Sequence, residues 1–231
     1  MIIHRNEIKS IQCVKEDKSA LCIFEYIYFA RPDSVIDGAS VYNARFKAGV
    51  LLAKQCNIDA DIVIGVPDSG VPAAIGYGVG AGLPYVEGLI KNRYVGRTFI
   101  QPSQFMREKA VTLKLNPIVN NVKGKRVIMV DDSLVRGTTS KKIVAMLKNA
   151  GAKEVHFVSA SPPVKNSCYY GIDIPKDLIA SDHTIEEIRE IIGADSLHYL
   201  NEENLIKSIE HVKCNLCTAC ASGKYPINIK G

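Results

Sequence analysis

Residues 127–140 read Val-Ile-Met-Val-Asp-Asp-Ser-Leu-Val-Arg-Gly-Thr-Thr-Ser, and this stretch decides how the rest of the chain is read. Four apolar residues, Val127 to Val130, run into two adjacent acids, Asp131 and Asp132. A loop rich in hydroxyls and glycine follows, Ser133 to Ser140, and then an apolar-periodic run at Ile143, Val144, Met146 and Leu147. The pattern predicts a buried strand, a loop and a helix start. Backbone N–H groups at such a loop and helix N-terminus hold a phosphate. Carboxylates just before it suit ribose hydroxyls or a hard cation. One motif therefore offers places for a sugar, a phosphate and magnesium.

On either side the pattern alternates. Leu21 to Ala30 is apolar and aromatic and predicts a buried strand; Val41 to Lys54 has helical spacing with Ala44, Ala48, Leu51 and Leu52 near one face. Asp61 to Val66 predicts a strand running into the turn Pro67-Asp68-Ser69-Gly70, and Pro72 to Gly80 a glycine- and alanine-rich helix packed closely on a sheet. Tyr85 to Leu89, Val111 to Leu115 and Val155 to Ala160 read as further strands, Asn116 to Gly124 as a connector, and Lys141 to Asn149 as a helix closed by Gly151. Residues 184–209 read as a polar helical stretch with a second short helix, and residues 210–231 as an irregular cysteine-bearing tail. Strands alternating with helices predict an α/β fold, a mostly parallel twisted sheet with helices on both faces. Ligands in such sheets sit at the carboxyl ends of the strands. Two loops qualify, after Val66 and after Val130, and both carry Asp, Ser and Gly.

The 231 residues fit one α/β domain with additions, and 47% apolar content supports a substantial core. The net charge of +5 is mild and spread out, so no nucleic-acid partner is expected. No run of about 18 apolar residues appears, and Met1 to Arg5 is not a secretory leader, so neither a membrane nor export is expected and the cytoplasm is the expected compartment. A local basic segment, Lys91-Asn-Arg93-Tyr-Val-Gly-Arg97, suits a small polyanion or is a solvated loop. The seven cysteines are odd in number, which argues against a secreted disulfide framework. Cys214, Cys217 and Cys220 cluster as Cys-x-x-Cys-x-x-Cys, a pattern that serves zinc and iron–sulfur clusters alike.

The 131–140 segment resembles the phosphoribosyl pyrophosphate signature of the type I phosphoribosyltransferases. Three further stretches, Glu25-Tyr-Ile-Tyr-Phe-Ala-Arg-Pro-Asp-Ser34, Gly65-Val-Pro-Asp-Ser-Gly-Val-Pro72 and Lys91-Asn-Arg-Tyr-Val-Gly-Arg-Thr-Phe-Ile100, with Cys217-Thr-Ala-Cys220-Ala-Ser-Gly-Lys-Tyr-Pro226, resemble the glutamine phosphoribosyl pyrophosphate amidotransferase family from about residue 20 to 226. That family begins with a glutaminase domain. Residues 1–14 resemble only its closing segment, which implies a synthase half: a remnant or linker over 1–19, a phosphoribosyltransferase domain over 20–205 and a tail over 206–231 packed on the core.

The implied reaction is attack of ammonia on C1 of phosphoribosyl pyrophosphate, the first step of purine synthesis. The resemblance implies that Asp131 and Asp132 meet the ribose hydroxyls, directly or through magnesium. It implies that Ser133, Arg136, Gly137, Thr138, Thr139 and Ser140 cradle the 5-phosphate. It further implies that Asp68, Ser69 and Gly70 form the pyrophosphate loop, with Ser69 near the metal, and that Lys91, Arg93 and Arg97 meet pyrophosphate charge from a loop over Lys91 to Gln104. A [4Fe–4S] cluster on Cys22, Cys168, Cys217 and Cys220 is implied, leaving Cys214 spare. Purine nucleotides as feedback inhibitors, a separate glutaminase subunit and a homo-oligomer are implied as partners. Two other readings share the motif: a salvage phosphoribosyltransferase acting on a nucleobase, and a nucleotide-binding regulator without turnover.

Overall fold

A computed structural model of the chain describes residues 2–4, 7–11, 19–92, 115–172 and 177–227. The strands are β1 (Ile2–His4), β2 (Glu7–Lys9), β3 (Ala20–Cys22), β4 (Val35–Ile36), β5 (Ala39–Ser40), β6 (Ile62–Gly65), β7 (Leu89–Lys91), β8 (Leu115–Pro117), β9 (Arg126–Asp131), β10 (Glu154–Ser159), β11 (Ser196–Tyr199) and β12 (Asn215–Cys217). The helices are α1 (Val41–Gln55), α2 (Val71–Ala81), α3 (Val119–Val122), α4 (Thr138–Asn149), α5 (Ile179–Asp182), α6 (Ile185–Ile192), α7 (Glu202–Ser208) and α8 (Ala219–Ser222).

The central sheet is parallel, in the order β11-β10-β9-β6. Tyr85 adds a parallel bridge to Val63 on the far side of β6. The chain therefore goes from β6 outward to Tyr85, then returns to build β9, β10 and β11 on the other side. Strand order reverses between β6 and β9, and the crevice beyond their carboxyl ends is where such sheets bind ligands. Strand β9 shows why the sheet is buried on both faces. Ile128 and Val130 enter one apolar cluster with Val63, Val158 and residues of α1 and α2. Val127 and Met129 enter the other with Ile64, Phe157 and residues of α4 and α6. A strand covered on both sides reads as a continuous apolar run, as this one does.

Local chemistry sets the helix ends. The Ser40 hydroxyl accepts from the Asn43 amide at the start of α1, and Thr184 with Glu187 forms a capping box at the start of α6. The small residues of α2 face α1 as well as the sheet. A Cβ at Gly49 would lie 1.9 Å from the Ala73 carbonyl oxygen, so the two helices approach at backbone contact.

Three elements differ from the sequence reading. The run Leu21 to Ala30 is not one strand: only Ala20–Cys22 pairs, with β12, and Glu25–Phe29 forms a π-helical turn. The connector at 116–124 contains α3 and part of β8. The stretch 184–209, read as helical, holds β11 between its two helices. The strand expected at Val111 to Leu115 lies, but for Leu115, outside the described residues. None of the helices among the described residues is long and apolar enough to cross a membrane.

At the amino end of the sheet Arg126 grips two acids: Asp59, and Asp61 at 2.9 Å. The side-chain bond from Arg126, then the bond from its backbone amide, hold the Asp61 carboxyl down at about 2. A depressed folded value contributes stability that is complete above the unfolded value of about 3.9 and is lost as pH falls through the folded one. Acid unfolding followed by circular dichroism should show this loss between about pH 4 and pH 2. Asp61→Asn should remove that part of the acid limb and leave the profile above pH 5 parallel to the parent's.

Candidate active site

The two loops at the reversal point meet back to back. The first follows β6 through Val66 and Pro67 to Asp68, Ser69 and Gly70, and hands over to α2; the peptide between Pro67 and Asp68 is cis. The second follows β9 through Asp131, Asp132 and Ser133 to Gly137, the N-cap of α4, where φ is 76°. Gly70 is where they touch. A Cβ there would lie 2.7 Å from the Val130 carbonyl oxygen and 3.1 Å from the Asp131 Cα. Both neighbours are backbone and cannot turn away, so any side chain forces the loops apart.

The acids stand at this junction. Asp131 is 9% exposed and Asp132 8%. The Ser69 hydroxyl of the first loop donates to one oxygen of Asp132. The Ser133 hydroxyl donates to the other at 2.6 Å, and the Asp132 amide donates to Asp131 at 2.9 Å. Burial, and after it the neighbouring Asp132 charge, pushes Asp131 well above the ordinary carboxylate range. Burial also raises Asp132, but the Ser133 and Ser69 hydroxyls and the Arg45 guanidinium work in the opposite sense. Two like charges out of water are costly. Paired perturbed carboxyls in a crevice mark a place where a ligand supplies what the protein withholds. The donors are oxygens only, two carboxylates and the Ser69 hydroxyl. That set fits a hard cation such as magnesium, which takes one or two protein carboxylates and completes its shell with water and phosphate.

The other residues named from the sequence are distributed as follows among the described part of the chain. Lys91, at the end of β7, pairs with Asp68 at 2.7 Å and brings its charge to the mouth of the first loop. A cleft of roughly 1,000 Å³ opens there, bordered by Pro67, Asp68, Tyr85, Glu87, Lys91 and Asn116. Thr138, Thr139 and Ser140 form the first turn of α4, where amides lack intrahelical partners; Ser140 is buried and the two threonines are exposed. Arg136 is turned to Asp177, 3.1 Å away. Arg93 and Arg97 lie outside the described residues.

One charged side chain beside the acids escaped the sequence reading. Arg45, on the inner face of α1, is 5% exposed and faces Asp132. The available signal was a charged residue set within the apolar stripe Val41, Ala44, Ala48, Leu52.

The cysteines gather at the other end of the chain's path. Strands β3 and β12 pair in parallel with Cys22 opposite Cys217. Burial, with smaller contributions from Cys217 and Cys168, raises the Cys22 thiol. Burial, with Cys22 and Cys217, pushes Cys220 up to about 12. Cys214 instead lies beside Asp37, whose carboxylate raises its thiol. All six described cysteines are free of disulfides. The four thiols named in the sequence reading thus share one neighbourhood. Among the described residues, however, no group of three or more His, Cys, Asp or Glu side chains is arranged to hold a metal ion.

Comparison with known proteins places these features. The profile of the phosphoribosyl transferase domain matches residues 39–187. The amidophosphoribosyltransferase of Archaeoglobus fulgidus is 54% identical over 234 residues, covering 100% of this chain and 51% of the relative. That of Bacillus subtilis is 52% identical over 235 residues, covering 99% and 49%. Among solved structures, the glutamine phosphoribosylpyrophosphate amidotransferase of B. subtilis, complexed with ADP and GMP, superposes with a TM-score of 0.84 at 53% identity, over 94% of this chain and 49% of that one. The chain spans about half the length of the relatives it matches.

The contact at Gly70 yields a direct test. Gly70→Ala should destabilise the fold by about 1–3 kcal/mol in urea titration, the usual cost of forcing atoms into a packed interior. Parent-like stability would show that the two loops are not in contact.

Proposed function

Because this chain belongs to the phosphoribosyltransferase family, we propose that its two-loop site binds phosphoribosyl pyrophosphate and transfers the phosphoribosyl group to ammonia. The products are 5-phosphoribosylamine and pyrophosphate, the chemistry that opens purine synthesis. The observation that carries the reading is the junction itself: two buried carboxyls, a hydroxyl bridge from the neighbouring loop and a helix N-terminus at one strand reversal. The amidophosphoribosyltransferase relatives, at more than half identity over nearly the whole chain, support the choice of acceptor.

In this reading Asp131 and Asp132 accept hydrogen bonds from the ribose 2- and 3-hydroxyls and fix the sugar. The loop amides from Ser133 to Gly137 and the first turn of α4, with the hydroxyls of Thr138, Thr139 and Ser140, hold the 5-phosphate. Asp68, Ser69, Gly70 and Lys91 meet the pyrophosphate, and the charges of Arg93 and Arg97 suit the same group. Asp131, Asp132 and Ser69 would hold magnesium, which supplies positive charge to the departing pyrophosphate. The C1–N bond forms as the C1–O bond to pyrophosphate breaks, with inversion, and the new ammonium sheds its proton to pyrophosphate or water. Neutral ammonia needs no strong base, so the residues act by position and charge.

A glutaminase partner is the proposed source of ammonia. The ADP and GMP of the B. subtilis structure support purine nucleotides as competitors for the phosphate cradle here. Cys22, Cys168, Cys217 and Cys220 are the proposed ligands of a [4Fe–4S] cluster that pins the tail to β3. It takes no part in the transfer, which involves no redox change.

Pyrophosphate release, assayed with magnesium and each nitrogen donor, tests the reaction. The chain should work with ammonia and not with glutamine alone; release that needs a nucleobase instead would replace the reading with the salvage one. Asp131→Asn combined with Asp132→Asn should abolish turnover while the circular dichroism spectrum stays that of the folded parent. Activity surviving in that variant would make the acids structural.

The cluster has its own readout. Anaerobically prepared protein should carry about four irons per chain and a visible absorption band, both lost in Cys217→Ser. A stoichiometric zinc content, or no metal after iron and sulfide are supplied, would dismiss it.

A further inference from the structure

Arg45 is a full positive charge in the interior, and its surroundings raise the question of what balances it. Its Nε donates to the Tyr26 carbonyl at 2.7 Å and its Nη2 to the Ala30 carbonyl at 2.9 Å. Those two bonds fix the guanidinium plane and clamp the π-helical turn Glu25–Phe29 onto α1. They leave further donors of the five-donor fork. The side chain then borders a small cavity, of about 10 Å³, with Asp132 and Ser69 opposite and Ala44, Ala48, Ala73 and Leu205 around it. Two neutral carbonyls do not neutralise a buried cation, and burial without a counter-charge is costly. The acid across this cavity is Asp132. Both Asp132 oxygens already accept hydroxyls from the front, from Ser69 and Ser133.

We propose that Arg45 is a positioning residue: anchored on the Tyr26 and Ala30 carbonyls, it holds the Asp132 carboxylate from behind by charge and ties the acid pair to the segment that leads into Arg31–Asp33. The proposal rests on reading the acid pair as the ribose site. A mere strut between α1 and the turn would need the hydrogen bonds and not the charge, nor the placement against Asp132. The consequence is mechanical. Loss of Arg45 frees Asp132 to follow Ser69 and Ser133 alone, so the ribose is gripped by a carboxylate without a fixed back wall.

Two measurements on the full chain test it. The first is a double-mutant cycle on unfolding free energy with Arg45→Met, Asp132→Asn and both together. Coupled residues give a double variant that loses clearly less than the sum of the single losses; strict additivity overturns the proposal. Should Arg45→Met fail to fold, Arg45→Lys takes its place in the same cycle. The second is calorimetric affinity for magnesium phosphoribosyl pyrophosphate. Arg45→Met should bind roughly 100-fold more weakly, as truncated partners of buried charges do. Arg45→Lys should recover about tenfold of that, because the charge returns without the fork. Unchanged affinity beside a lowered melting temperature also overturns it, leaving Arg45 a structural strut. If the parent itself takes up no phosphoribosyl pyrophosphate, the functional reading fails, while the unfolding cycle still decides whether Arg45 and Asp132 act as a pair.

Discussion

Everything in the crevice depends on two neighbouring parallel strands delivering their loops to the same point without a side chain between them. Strands β6 and β9 are paired in register, so their carboxyl ends are level. Gly70 then lets the first loop rest against the backbone of Val130 and Asp131. Only with that contact made can the Ser69 hydroxyl reach Asp132. A hydrogen bond to a buried carboxylate is worth more than one between neutral groups. It also helps offset the cost of keeping two acids out of water. The site is consequently under electrostatic tension in a defined direction: two buried carboxyls face one guanidinium, so it is short of positive charge.

The part of this legible in the sequence was the part encoded locally. Val127 to Val130 followed by two acids and a hydroxyl-rich loop can be read in fourteen residues because strand, loop and helix start are contiguous. The elements misread were those fixed by distant partners. Leu21 to Ala30 is apolar enough for a strand, but only three residues find an edge to pair with, and that edge comes from the tail at Asn215–Cys217. Ser196–Tyr199 is short and half polar. It sits at the edge of the sheet, and its pairing with β10 is set by tertiary structure rather than by periodicity. Arg45 was passed over because helical periodicity is counted in apolar residues, and a charge on the inner face registers as noise until the acid it faces is known.

The cysteines make the same point in a sharper form. Spacing alone left Cys214 and Cys220 equivalent as partners of Cys217. In the fold they differ in kind. Cys214 lies beside the Asp37 carboxylate, whereas Cys220 packs against the core beside Cys22. A distinction between two thiols three residues apart from the same cysteine is thus made by a strand pairing nearly 200 residues long in sequence separation, which no local window contains.

Lys91 illustrates how such a site can exchange partners cheaply. Its pair with Asp68 is exposed on both sides, with side chains 53% and 77% accessible, and pairs of that kind contribute about 0–1 kcal/mol. The bond therefore sets where Lys91 rests without committing it. On the proposed reading, a pyrophosphate at the Asp68–Gly70 loop would carry more charge than one carboxylate, so moving the ammonium from Asp68 to it would forfeit little and gain more. Asp132 stands at the opposite extreme: buried, doubly hydrogen-bonded and backed by Arg45, it cannot move without exposing an unbalanced charge. Under the proposed function, a sugar held rigidly and a leaving group held on exchangeable cations would give firm aim at C1 and easy release of pyrophosphate from the same pair of loops.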